Sequence, residues 1–470
     1  MEKKESESRV NSFLENPKKS LWTLAIPIMF GIGIQTFYNL IDLLFIGKIS
    51  GEAIAGVAFN MPIFFLMLGL TMGLGSGVTS SIARFIGQDD KVSADNSAEH
   101  ALAMAGFIAI IFTFLGIFYG KPILMFLGAE GRILELAWEY LSMIVVGLPF
   151  MVFSGFFRSI LAGEGDMKFP MMIAGLGTLL NIILDPIFIF RLDQLGSIGL
   201  GLGVKGAALA TVVSQSIVFI IFVYMLFVKN HSYITFNLKD FVPSSTILWD
   251  IVKVGMPASL SMVIMAIGQG VFNKILINYS SETVAAYQVA GRIDMLVFLP
   301  IFAIAGSMTT LVGMFYGAKE MNALNQIIYY GIKCSFFITV ISSIVVYFFA
   351  ENFSSIFTQN QEIINVSVGF LHLLCLVYPF VSIAITSGRV MQGLGKGLPV
   401  LIITIVRVLG ISAPLAVFFS AYLYKPVEWN WYAMMTGAVT SFLIAISWMR
   451  IELKKVNNFK EGKLEPIIER

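Results

Sequence analysis

The sequence predicts an all-α membrane protein, with about twelve transmembrane helices in two six-helix bundles related by a pseudo-two-fold axis along the membrane normal. Three observations carry this reading. Of the 470 residues 57% are hydrophobic and only 13% charged, against about 25% charged in a typical soluble domain, and the mean hydropathy is +0.83. So much apolar surface cannot be enclosed in a core surrounded by water, and the solvent is therefore lipid. Secondly, the apolar residues are gathered into long runs, not into the alternating segments of about ten residues that a membrane barrel needs. Thirdly, the chain repeats itself at an offset of 230 residues.

Composition excludes several classes at once. The 31 Lys and Arg against 29 Asp and Glu leave a net charge of +2, too little for a nucleic-acid binder. The two cysteines, Cys334 and Cys375, lie in apolar runs and read as packing residues.

Taken in order, residues 1–20 form an N-terminal tail with mixed charges (Glu2, Lys3, Lys4, Glu5, Glu7, Arg9). No short apolar run with a small-residue cleavage site follows it, so no cleaved signal peptide is expected. The N-lobe, 21–228, holds apolar runs at 21–46, 53–83, 98–120, 133–157, 169–190 and 204–228. A polar linker, 229–253, leads to the C-lobe, 254–450, with runs at 254–277, 283–316, 324–350, 364–388, 398–424 and 430–449, before a charged tail, 451–470. Each run meets the roughly 20 residues a bilayer-crossing helix requires.

Charge then orients the spans. With the N-terminus inside, 21 Lys and Arg fall on the inner segments and six on the outer ones, while Lys274, Arg292, Lys333 and Arg407 lie within spans. Both termini are therefore expected in the cytoplasm, and the chain in the plasma membrane. A missed helix would scramble this asymmetry.

The repeat places Pro27 on Pro257, Glu52 on Glu282, Ala55 on Ala285, Thr79 on Thr309, Phe85 on Phe315 and Gly87 on Gly317. Further on, Gly163-Glu-Gly165 falls on Gly393-Leu-Gly395 and, with two residues of slippage, Pro186 on Pro414. Because six is even, both copies cross in the same sense, the parallel-repeat plan of some transporters. Nothing resembles the Gly-rich selectivity filter of a channel.

Ionisable groups inside hydrocarbon are costly and mark pathways or relays. Three carboxylates lie within spans: Asp42, Asp185 and Asp294. Tyr38 and Asn39 precede Asp42 by one helical turn and share its face, as Asn181 shares that of Asp185. Pro186, immediately after Asp185, removes a backbone donor and loosens the helix there. Such a set offers oxygen ligands to a small hard cation, or a carboxyl that can carry a proton, and the residues do not choose between them. Asp294 has Arg292 two residues away, with Lys274 and Arg407 in neighbouring spans, so it reads equally as their charge partner. Displaced by the repeat, Asp42 becomes Phe272 and Asp185 becomes Ala413, which concentrates coupling chemistry in the N-lobe. The histidines His100, His231 and His372 share no ligand spacing, so no metal centre is expected. No GxxxxGK[ST] loop occurs, so no ATP site and no cofactor is expected, and energy must come from an ion gradient if the chain transports uphill. The 24 Met, 41 Phe and 15 Tyr suit a cleft that accepts varied apolar or cationic molecules, although most must simply pack helices or face lipid.

Taken together, Ala25-Ile26-Pro27, Tyr38-Asn39-Leu-Ile-Asp42-Leu-Leu-Phe-Ile-Gly47, Gly87-Gln88, Asn181-Ile-Ile-Leu-Asp185-Pro186, Gly203-Val-Lys-Gly206-Ala-Ala-Leu-Ala-Thr211 and Ala285-Ala-Tyr287-Gln288 resemble the multidrug and toxic compound extrusion (MATE) family over nearly the whole chain. The resemblance implies a secondary active antiporter, not an enzyme. It would export organic cations and other amphipathic drugs against inward protons or sodium ions by alternating access, as a monomer in contact with membrane lipid. It also implies an ion or proton site at Asp42, Asn181, Asp185 and Thr211, with Tyr38 and Tyr140 in its hydrogen-bond network. Asn39, Gln269, Asn273, Gln288, Asp294 and Arg407 are the candidate residues of the substrate cleft. NorM-like members carry further acids in the seventh and tenth helices, whereas here neither Pro257 to Asn278 nor Ile363 to Val427 contains one, so the chain is more similar to the DinF-like branch. Two rival readings are a flippase for lipid-linked oligosaccharides from the wider superfamily and an intramembrane prenyl transferase. The latter would need clustered aspartates of a DxxxD kind that neither Asp42 nor Asp185 provides.

Overall fold

The computed structural model describes residues 10–191, 199–237 and 241–460, without the side chains of residues 39, 40, 43, 44, 459 and 460. Twelve helices among the described residues are long and apolar enough to cross a bilayer. They are α1 Pro17–Gly47, α2 Gly51–Gly87, α3 Lys91–Phe126, α4 Gly131–Gly163, α5 Lys168–Ile189, α6 Gly203–Val228, α7 Ser245–Leu276, α8 Ser281–Gly317, α9 Met321–Ser355, α10 Gln361–Gly393, α11 Leu398–Tyr422 and α12 Glu428–Lys460. Extended pairing among the described residues is limited to one isolated bridge, Arg191 to Leu200.

Every expected span is a helix, and most helices outrun their apolar segment. α8, with 37 residues, is about 55 Å long at 1.5 Å per residue, well beyond the ~30 Å hydrocarbon layer. At its N-terminal end the surplus is polar: the run 98–120 becomes Lys91–Phe126, and the added residues 91–97 include Asp95 and Asn96. Across the membrane-depth part of α3, Phe107, Ile110, Phe114 and Phe118 recur every three or four residues and are all more than half exposed, while Ala94, Ala98, Ala101, Ala105 and Ala109 are buried. One face thus meets lipid, and a small-residue face lets the neighbouring helices approach closely.

The contacts divide the chain into two compact units: Ile26–Val252, and 10–25 with 253–460. α1 therefore starts in the second unit and continues into the first, and Pro27 lies just past that boundary. Within the first unit α4 is central, packed by α2, α3 and α6, with α5 against α6; within the second α10 is central, packed by α8, α9 and α12, with α11 against α12.

The repeat is written into local geometry at the same offset. Ser50 and Ser280 cap α2 and α8 from extended backbone, each hydroxyl accepting an N–H three residues on, from Ala53 and Thr283, at 3.0 Å. The turns after α2 and α8 pass through the left-handed region at Asp89 (φ 57°) and Lys319 (φ 59°), and those after α4 and α10 at Gly165 (φ 83°) and Gly395 (φ 80°). Gly163 presses on α2, where an added Cβ would lie 2.8 Å from Ile82 Cβ; Gly393 presses on α8, where it would lie 2.8 Å from the Thr309 carbonyl. Thr79 donates its hydroxyl to the Ser159 carbonyl at 2.8 Å, and Thr309 to that of Arg389 at 3.4 Å.

The copies also diverge. α2 is interrupted at Phe59-Asn60, where the buried Asn60 amide donates to the Gly56 and Ala137 carbonyls, both at 3.1 Å, whereas α8 runs unbroken. α11 widens into π turns over Val406–Ser412 and Phe418–Tyr422, on either side of the short segment that carries Pro414.

The polar stretch after α6 is a strap held by side chains of the first unit. Glu164 accepts from the Ser232 hydroxyl (2.9 Å) and the Tyr233 N–H (2.8 Å), Glu99 from the Asn237 N–H (2.9 Å), and Arg84 pairs with Asp250 at 2.5 Å. The structure turns the last part of the expected linker into helix, since α7 starts at Ser245.

Candidate functional site

α5 places Asn181 and Asp185 one turn apart on a buried face, 4% and 0% exposed, and the Asn181 Nδ2 donates to Asp185 Oδ1 at 3.3 Å. Pro186 is inside the same helix and gives no N–H to the Ile182 carbonyl. α1 brings Tyr38 and Asp42, again one turn apart, to this face, so that the carboxyls of Asp42 and Asp185 stand beside each other. Around the Tyr38 hydroxyl are gathered Asp42, Tyr140, Asp185 and Thr211.

Four helices therefore converge. Tyr140 comes from α4, where it is buried and packs edge-on against Phe64 with ring centroids 6.0 Å apart. Thr211 comes from α6, two turns after its start, and donates its hydroxyl to the Ala207 carbonyl at 3.1 Å. The connection before α6 sets its height: Leu200, Gly201 and Leu202 donate their N–H groups to Ile187, Phe190 and Phe188, which folds the chain back onto the end of α5.

The chemistry of the cluster lies in oxygens left over. Asp42 Oδ1, Asn181 Oδ1 and Asp185 Oδ2 are buried and, among the described residues, accept from no donor. Buried acceptors normally find a partner, and two adjacent carboxylates repel strongly where the dielectric is low. A proton shared by the pair, or a small cation ringed by these oxygens, satisfies both conditions.

In the second unit, Phe272 replaces Asp42 and packs with Ile275, Ala416 and Ala433, and the Asp185 equivalent, Ala413, is buried. Asp294 accepts a hydrogen bond from Tyr378 of α10. Among the described residues no ion pair joins it to Arg292, Lys274 or Arg407, and Arg292 instead lies 5.7 Å over the Phe357 ring. Tyr287, two turns before Asp294, stands near both Asp294 and Arg407. Asn273 and Gln288 pair with each other at 3.0 Å, and Gln269 is exposed. The side chain of Asn39 lies outside the described residues. Neither Tyr378 nor Tyr287 was among the sequence's site candidates, although Tyr287 lies in the motif Ala285-Ala-Tyr287-Gln288: at the 230 offset they fall on Leu148 and Val57, so the repeat gave no pointer.

Comparison with known proteins follows the same division. The MatE family pattern matches twice, at residues 27–187 and 257–418, and the two matches begin at the paired prolines. The chain is 28% identical over 427 residues to the probable multidrug resistance protein NorM of Thermotoga maritima, covering 90% of each. It is 25% identical over 432 residues to the multidrug export protein MepA of Staphylococcus aureus, covering 91% of each. A crystal structure of a MATE protein in a bent conformation superposes with a TM-score of 0.89 at 32% identity, covering 96% of this chain and 98% of that one. Both halves carrying the family pattern, and the whole chain carrying the family fold, the protein belongs to the MATE family of membrane transporters.

Proposed function

We propose that the chain is a secondary active multidrug efflux antiporter of the DinF-like kind, exporting organic cations and other amphipathic drugs in exchange for protons or sodium ions by alternating access. The observation that carries this reading is the Asp42–Asp185 pair, with three buried acceptor oxygens that meet no donor among the described residues of one unit and apolar residues at the equivalent places in the other. An empty pair repels itself; a proton or a sodium ion among Asp42, Asn181, Asp185 and Thr211 draws α1 and α5 together. Both helices are built to respond, because Pro27 and Pro186 each interrupt the backbone ladder and localise bending. The names of the relatives, multidrug resistance and multidrug export proteins, support a broad drug class. Within the second unit, Gln269, Asn273, Gln288, Asp294 and Arg407 are the polar side chains assigned to orienting such molecules. The distribution of 21 inner against six outer cationic side chains supports cytoplasmic termini in the plasma membrane.

Proteoliposomes loaded with a fluorescent organic cation, under an imposed proton gradient and then an imposed sodium gradient, test the reading. Only one of the two gradients is expected to drive export by the wild type, and neither by Asp42→Asn or Asp185→Asn. Undiminished export by both variants overturns the site; export indifferent to both gradients overturns antiport.

A further inference from the structure

We propose that the second unit carries a binding site for an anionic phospholipid, in a groove between the start of α1 and the outer face of α9. The groove has a volume of about 470 Å³ and is lined by Lys18 and Trp22 of α1 and by Tyr330, Lys333, Phe337 and Ile341 of α9, among others. The α9 residues recur every three or four positions and so form one face. Trp22 Nε1 donates to the Tyr330 hydroxyl at 3.0 Å, which ties the two helices at this level. Lys18 Nζ stands 5.6 Å over the Tyr330 ring and Lys333 Nζ 5.8 Å over that of Phe337.

Three features select the occupant. Among the described residues no carboxylate lines the groove and neither lysine is in an ion pair, so two positive charges face it uncompensated. Trp22 and Tyr330 belong to the residue types that mark the headgroup level of a bilayer. Beyond them Phe337 and Ile341, 50% and 62% exposed, continue an apolar floor about 16 Å along the helix from Tyr330. A phosphodiester between the lysines, with its acyl chain laid over Phe337 and Ile341, satisfies both ends. A free phosphate would leave the apolar floor uncovered, and a cationic drug would be repelled by the lysines.

Native mass spectrometry of the full-length protein in mild detergent, titrated with phosphatidylglycerol or phosphatidylcholine, tests the site. The wild type should retain phosphatidylglycerol in preference. Lys18→Gln and Lys333→Gln should each weaken that retention about fivefold, and the double variant about 30-fold, with phosphatidylcholine unchanged. Lys274→Gln, outside the groove, should have no effect. Equal phosphatidylglycerol retention by the double variant and the wild type overturns the proposal. So does displacement of the bound lipid by millimolar inorganic phosphate, which would assign the lysines to a free anion. All the exchanged side chains are exposed, and elution of each variant at the wild-type volume on gel filtration shows that it is folded.

Discussion

The two units share helix order, caps, left-handed turns and the close approach of the fourth helix to the second, yet their embedded acids behave in opposite ways. In Ile26–Val252, Asp42 and Asp185 lie together and keep buried oxygens that meet no donor among the described residues. In the second unit the acid within a span, Asp294, accepts from Tyr378. Since the same scaffold holds with Phe272 and Ala413 in place of Asp42 and Asp185, the fold does not need the acids. That contrast supports the proposal that Asp42 and Asp185 serve ion or proton coupling. Tyr140 repeats the lesson more quietly: its counterpart Phe370 occupies the equivalent core place without the hydroxyl, stacked 4.1 Å from Trp431.

The contrast is broken most severely at the pair itself. Asp42→Asn or Asp185→Asn should reduce gradient-driven export to the level of the gradient-free control while leaving thermal unfolding of the purified protein unchanged or raised, because a buried repulsion is removed. Next, Phe272→Asp places an unpartnered acid in the second unit. It should cost about 3 kcal/mol or more, read as a lowered melting midpoint in a fluorescence-detected stability assay, and should confer no second coupling site. A gain of ion-dependent transport would show that the units are interchangeable.

Smaller effects test the shared scaffold. Gly163→Ala and Gly393→Ala each push a methyl group into the neighbouring helix, and each should destabilise by about 1–3 kcal/mol. Similar losses at the two sites would sharpen the equivalence of the repeats, and a loss at one alone would break it. Thr79→Val should cost about 1 kcal/mol, and Thr309→Val less, because its bond is 3.4 Å long against 2.8 Å.

The spans were legible because bilayer thickness imposes a length on apolar runs, and that signal is local. Their ends were not. Lys91 to Ser97 read as loop by polarity but continues α3, since a helix emerging from the bilayer keeps its backbone bonds while its side chains turn polar. The break in α2 at Phe59-Asn60 was missed for a related reason: it is held by the Asn60 amide reaching Ala137, 77 residues away. The pairs Tyr38 with Asp42 and Asn181 with Asp185 were visible from spacing on single helices. That both pairs meet one another, with Tyr140 and Thr211, depends on how α1, α4, α5 and α6 pack.

By itself the sequence determined that the chain is a membrane protein, where its helices lie and that it is a duplication, because hydropathy and the 230-residue offset are properties of residue order. Only the tertiary structure decided which carboxylates are satisfied. Whether Asp294 meets a tyrosine or a cation, and whether the oxygens of Asp42, Asn181 and Asp185 meet any donor, are contacts between helices far apart in sequence. Their partners are set by packing at the ångström scale, and no periodicity along the chain encodes it.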